Sequence, residues 1–185
     1  AINTLFSGLL MFLIIKMDRV SYYGLRKVTN LKGYLYFLPL LLIMSVNLWY
    51  GVDLSHTPGQ VLFHVITMVN VGFIEEIIFR GMLFRMMEKD NVKSAILVSA
   101  LTFGIGHIIN LLNGADLIPT LLQVCYAVSI GFLFVIIFYK SKSLVPCIVT
   151  HGVFNSLSVF HGEGETVSYI SAGFLIAAPL VYAVY

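Results

Sequence analysis

Hydrophobic and polar residues fall along this chain in long blocks. Seven apolar runs stand out, at 1–15, 34–52, 60–84, 94–112, 117–139, 144–160 and 167–185. A helix that crosses a bilayer needs about 20 apolar residues, so the pattern predicts an all-α, polytopic transmembrane bundle of about seven helices. Polar breaks separate the runs, from Lys16 to Gly33, Asp53 to Gly59, Arg85 to Lys93, Asn113 to Asp116, Lys140 to Ser143 and His161 to Thr166. No polar linker, internal repeat or low-complexity tract divides them. One membrane-embedded domain over 1–185 is therefore expected, with its motif-bearing core at 60–160. Residues 1–33 read as a truncated first helix followed by a basic loop. The chain opens on Ala1, with no basic stretch before the first run and no small-residue cleavage site after it. This fits an excerpt of a longer protein better than a signal peptide.

Composition agrees with the blocks. Of the 185 residues, 59% are hydrophobic and 11% charged, and the mean hydropathy is +0.94; a soluble domain carries about 25% charged residues. A net charge of +2 without a basic stripe gives no reason to expect a nucleic-acid partner. Cys125 and Cys147 lie in apolar runs without CxxC spacing and read as small buried hydrophobes.

The position of each cation matters more than the net charge. Lys16, Arg19, Arg26, Lys27 and Lys32 fall in the first break, Arg85, Lys89 and Lys93 in the third, Lys140 and Lys142 in the fifth. The second, fourth and sixth hold Asp53, Asp116, Glu163 and Glu165 and no Lys or Arg. Basic and basic-free loops alternate, so loops 16–33, 85–93 and 140–143 are expected in the cytoplasm. Segment 20–33, with Tyr22, Tyr23 and Tyr34 near its cations, fits an interfacial helix or a solvated loop. Trp49 and Tyr50 read as an anchor at the outer interface.

Only Glu75, Glu76 and Arg80 place charge inside an apolar run. Each costs about 2.5–3.5 kcal/mol at the centre of a spanning helix, so a chain seldom keeps three without using them. On a uniform α-helix Glu76 and Arg80 share a face and can pair, while Glu75 points about 100° away. One acid can be neutralised within its helix and the other is left for chemistry. Measured from the cytoplasmic helix ends, Glu75 lies roughly 15 Å deep, His107 roughly 20 Å, His151 about 10 Å and Asn155 about 16 Å. Four polar groups on three helices share one slab. A carboxylate there can take a proton from water, an imidazole can help orient it, and His and Asn side chains can stabilise a tetrahedral oxyanion. No Ser or Cys recommends itself as nucleophile. His56 and His161 fall in outer loops, and His64 near an outer helix end some 16 Å from Glu75. Asn70, Asn110 and Gln123 suit packing hydrogen bonds, and Phe103 suits packing against His107.

Glu75-Glu76-Ile77-Ile78-Phe79-Arg80 resembles the EExxxR motif of the CAAX protease and bacteriocin-processing (CPBP, or Abi) family of intramembrane peptidases. Phe103 to His107 resembles its FxxxH motif, and His151 to Asn155 its HxxxN motif. The three stand in family order, each within its own apolar run. The resemblance implies a helical membrane peptidase with a cavity open toward the cytoplasmic side. It assigns Glu75 as water-activating base, His107 as its aid, His151 and Asn155 as the oxyanion site, and Glu76, Arg80 and Phe103 as support. It implies a peptide or protein substrate: family members clip prenylated CAAX proteins, process bacterial peptides or confer bacteriocin immunity. With no prenyl-binding element legible, a bacterial-type peptide in a bacterial cell membrane is favoured.

Two rivals stand beside this reading. Zinc held by Glu75, His107 and His151 would give a metal-dependent version of the same peptidase, although HExxH is absent and no cofactor is favoured. Buried Glu, His and Arg also build proton relays in proton-coupled transporters, or survive as structure in a non-enzymatic immunity or binding protein. No paired helix breaks among Pro39, Pro119, Pro146 and Pro179 support a transporter.

Overall fold

The computed structural model describes residues 2–28, 37–49, 51–162 and 165–184. Among these, the chain forms seven helices: α1 (Ile2–Lys16), α2 (Pro39–Leu48), α3 (Pro58–Met87), α4 (Val92–Asn113), α5 (Leu117–Ser141), α6 (Val145–Phe160) and α7 (Glu165–Val184). Their order and type are those the apolar blocks predict. By length and apolar character α3, α4 and α5, of 30, 22 and 25 residues, can cross a membrane. Helix α1, with 15 residues, covers about 22 Å of a hydrocarbon core near 30 Å. Residues 20–24 form hydrogen-bonded turns and 25–28 are irregular, so no interfacial helix forms over 20–28. The remainder of that segment, the start of the run at 34, Tyr50 and Glu163 lie outside the described residues.

Helix starts follow local chemistry. Thr57 caps α3 through a reciprocal box with Gln60, and Pro58 takes the first turn, where it forfeits no hydrogen bond. This starts α3 two residues before the apolar run. Asn91 caps α4 by accepting from the Ser94 N–H. The helices are not uniform inside. Ile77–Phe84 of α3 wind as a π-helix, and α4 tightens into a 3-10 helix over His107–Asn113, ending at Gly114 with φ +88°. A π segment is rare and often marks a functional site.

By their contacts the residues form two compact units. The first holds residues 1–77 and 142–164. In it α6 packs on the first part of α3, with α1 and α2 alongside. Ile14, Leu40, Ile43, Val46, Ile77 and Cys147 are its buried apolar residues of note. The loop before α6 is tied to the first basic loop: Leu144 N–H donates to Gly24 O (2.8 Å), and Ser143 Oγ to Arg26 O (2.5 Å).

The second unit holds residues 78–141 and 165–185. Here α5 is central, packed by α4 and α7, and buries Leu133, Phe134, Val135, Ile137 and Phe138. Gly104 makes the close approach of α4 to α5 possible: a Cβ there would stand 2.7 Å from Val128 N and 2.9 Å from Val124 O. Cys125, expected buried, is exposed on the first half of α5. An apolar thiol facing lipid bears no desolvation cost, so an apolar run does not say which of its members is inside.

Candidate active site

In the first unit, Gly72 lets the backbone of α3 touch that of α6. A Cβ on Gly72 would stand 3.0 Å from Gly152 N and 3.4 Å from the His151 carbonyl carbon. This contact, one turn before Glu75 and Glu76, sets both carboxylates against His151. His151 Nδ1 lies 2.9 Å from Glu76 Oε1, and Nε2 lies 3.6 Å from Glu75 Oε2. An ionised carboxylate only accepts, so Nδ1–H donates to Glu76 and turns Nε2 toward Glu75. Glu76 is 0% exposed and His151 7%, whereas the Glu75 side chain retains 31%. Glu75 Oε2 is itself buried and has no hydrogen-bond partner among the described residues, the situation that costs a polar atom most when it has no role.

Asn155 follows His151 by one turn of α6. Its carboxamide makes no hydrogen bond among the described residues, while its backbone carbonyl accepts from Ser158 Oγ (2.7 Å) and His64 Nε2 (3.2 Å). The neighbouring Phe154 carbonyl accepts from Asn47 Nδ2 at 2.7 Å. These bonds satisfy carbonyls where α6 gives way to its final 3-10 turn. Sequence reasoning set His64 aside because of its distance from Glu75 along α3. The signal was its bearing: eleven residues are three turns plus about 20°, so His64 and Glu75 share a face.

Arg80, Phe103 and His107 come together in the second unit. Arg80 is 0% exposed; its guanidinium lies 4.2 Å from the Phe103 ring centre and 5.6 Å from that of Phe134, and Nη2 donates to Gly131 O at 3.3 Å. Cation–π contacts of this kind strengthen when desolvated. Phe103 meets the His107 ring edge-on at 5.2 Å, and His107 Nδ1 lies 3.0 Å from Phe103 O. A carbonyl only accepts, so Nδ1 carries the proton and Nε2 keeps its lone pair. No partner holds Nε2 among the described residues. The α register of α3 ends at Glu76, and Arg80 sits in the π segment that follows.

Other polar groups have local roles. Asn110 Nδ2 donates to Gln123 Oε1 at 2.8 Å and Asn70 Nδ2 to Ile66 O at 2.6 Å. His56 lies 3.7 Å from Asp53 in the loop before α3; the Ser55 backbone N–H and hydroxyl donate to Asp53 and hold its carboxyl below the usual carboxylate range.

The first group thus offers an acid with an unsatisfied oxygen, an imidazole oriented by a second acid, and a carboxamide without a partner. The second offers an imidazole with an open lone pair. No curated protein and no solved structure matches the chain. The model of one family, described as type II CAAX prenyl endopeptidase Rce1-like, matches residues 57–157. That stretch runs from the cap of α3 through the last residue of the α-helical part of α6 and contains all three motifs. It covers more than half of the sequence, and the chain belongs to this Rce1-like family of endopeptidases.

Proposed function

We propose that the protein is an intramembrane endopeptidase that hydrolyses a peptide bond of a membrane-associated or secreted peptide with water as nucleophile. The observation that carries this reading is the buried Oε2 of Glu75, without a hydrogen bond among the described residues and 3.6 Å from Nε2 of an imidazole whose far nitrogen is held by buried Glu76. Glu75 takes a proton from water as the oxygen attacks the carbonyl carbon. Negative charge gathers on the carbonyl oxygen, where the Asn155 carboxamide and His151, as an imidazolium that donates from Nε2 while Nδ1–H stays on Glu76, stabilise it; one such donor is worth about 10²–10³-fold in rate. The tetrahedral species then collapses, the C–N bond breaks, and the proton on Glu75 passes to the leaving amine. His107 aids the water through its open Nε2, a role drawn from the FxxxH motif. Glu76 acts through His151, as the carboxylate of a hydrolase triad acts through its histidine.

The matched family is described by prenyl CAAX substrates. For this chain we favour a bacterial-type peptide, cleaved from the cytoplasmic face that carries loops 16–33, 85–93 and 140–143. The test compares the peptides of cells carrying the active protein with those of cells carrying Glu75→Gln at equal abundance. Cleaved products present only with the active protein support the reading. Identical peptide sets, or products that persist with Glu75→Gln, overturn it.

A further inference from the structure

The first unit contains a second feature, separate from the carboxylates. A groove of about 430 Å³ runs between α2 and the first turns of α6, lined among others by Phe37, Leu41, Met44, Val149 and Thr150, with Lys27 at one end. The volume lies within the range of small-molecule sites. No acidic side chain appears among its described lining residues. Its one charged lining group, Lys27, is exposed and has no partner among the described residues.

The neighbourhood of Lys27 is built and basic. Arg26 Nε donates to Lys142 O at 3.0 Å while its own carbonyl accepts from Ser143 Oγ, so the backbone beside Lys27 is tied to the segment leading into α6. Among the described residues, two further cations of this loop are turned to aromatic faces: Lys16 lies 5.9 Å from the Phe12 ring and Arg19 5.4 Å from that of Tyr22. Lys27 is left to face solvent at the mouth of an apolar trough, with exposed Arg26 next to it in the chain. A ligand that matches both parts needs a long apolar tail and an anionic head.

We propose that this groove binds one acyl chain of an anionic phospholipid, with the headgroup phosphate on Lys27 and Arg26. Phosphate suits a guanidinium and an ammonium through charge-assisted hydrogen bonds, and basic residues beside a membrane surface draw anionic lipids. The tail would lie along Val149 and Thr150, the residues that lead directly to His151, so the lipid would buttress the turn of α6 that carries it.

The test reconstitutes the full chain in phosphatidylcholine vesicles containing a small fraction of phosphatidylglycerol with a photoreactive group on one acyl chain, or the same label on phosphatidylcholine. Labelled residues are read by mass spectrometry. The expected result is labelling of Leu41, Met44 or Val149 by phosphatidylglycerol in excess of phosphatidylcholine. Lys27→Gln should cut the phosphatidylglycerol labelling about fivefold, the effect of one cation near the surface, and leave phosphatidylcholine labelling unchanged. Lys89→Gln, in a loop that does not line the groove, should change neither. Equal labelling by the two lipids, or no response to Lys27→Gln in protein that keeps its helicity, would overturn the proposal. Labelling by neither lipid would give the groove to another occupant, such as the apolar tail of a peptide, and would overturn it equally. Glu75→Gln should label as the unaltered chain does, so a failure of the peptidase reading leaves this result intact.

Discussion

Replacing Gly72 by Ala adds one carbon at the closest approach of α3 to α6. That carbon would stand 3.0 Å from Gly152 N and 3.2 Å from Gly152 Cα, and both are backbone atoms that no rotamer change can move. The two helices must therefore part by a few tenths of an ångström. Overpacking of this kind costs about 1–3 kcal/mol, and the better helix propensity of Ala returns about 1 kcal/mol. The expected net loss of stability is about 0–2 kcal/mol, small enough for the protein to fold. The larger effect falls on the site, because the same separation stretches the 2.9 Å contact between Glu76 and His151. A hydrogen bond to a charged group contributes about 1.5–3 kcal/mol, so kcat should fall roughly 10- to 100-fold. Gly152→Ala supplies the contrast. Its added carbon would meet Val69 Cα at 3.5 Å, an ordinary contact, and kcat should stay within about threefold. Gly173→Ala, with nothing within 4 Å, controls for the substitution itself. The assay measures kcat and KM on a peptide identified by the comparison of cells, with the unfolding midpoint in detergent. Undiminished kcat in Gly72→Ala, or equal losses in Gly72→Ala and Gly152→Ala, would refute the view that this helix contact sets the geometry of the carboxylates.

The remaining expectations concern single groups. Glu75→Gln and His107→Ala should each lower cleavage by at least about 10²-fold while far-ultraviolet circular dichroism stays unchanged; activity retained in either would remove that residue from the mechanism. Glu76→Gln keeps the shape but replaces a charged acceptor with a neutral one, so kcat should drop about 10-fold or more with KM little changed; a change in KM alone would assign Glu76 to substrate binding. Gly104→Ala places a carbon 2.7 Å from Val128 N, and the unfolding midpoint should fall by an amount equivalent to about 1–3 kcal/mol, with no loss expected if α4 and α5 could slide apart freely. Chelator should leave cleavage intact, and metal analysis of the purified protein should find no stoichiometric zinc; chelator-sensitive activity restored by zinc would make Glu75, His107 and His151 metal ligands instead.

The helices were legible in the chain because burying backbone in an apolar setting demands long uninterrupted runs, and the positions of Glu75, Glu76, Arg80, His107 and His151 were legible because each breaks such a run. What each of these groups touches was not legible, for reasons that are physical. A sequence shows a helix as one winding of 3.6 residues per turn, whereas Ile77–Phe84 are wound as a π-helix and the 3-10 stretch of α4 begins at His107. The same limit hid His64: distance along α3 separated it from Glu75, and only the contact of α3 with the end of α6 makes it a donor to Asn155 O. The two neighbouring acids show the point most sharply. Glu75 and Glu76 are chemically identical and adjacent, yet one is 0% exposed with Oε1 2.9 Å from His151 Nδ1, and the other keeps 31% of its side chain exposed with Oε2 3.6 Å from Nε2. The motif separates the two acids by role, but what each touches follows from the approach of Gly72 to Gly152, because that contact fixes which side of α3 meets the imidazole. The division of labour between the two acids is therefore a property of helix packing, and a substitution at a glycine that bears no functional group should disturb it as surely as one at a carboxylate.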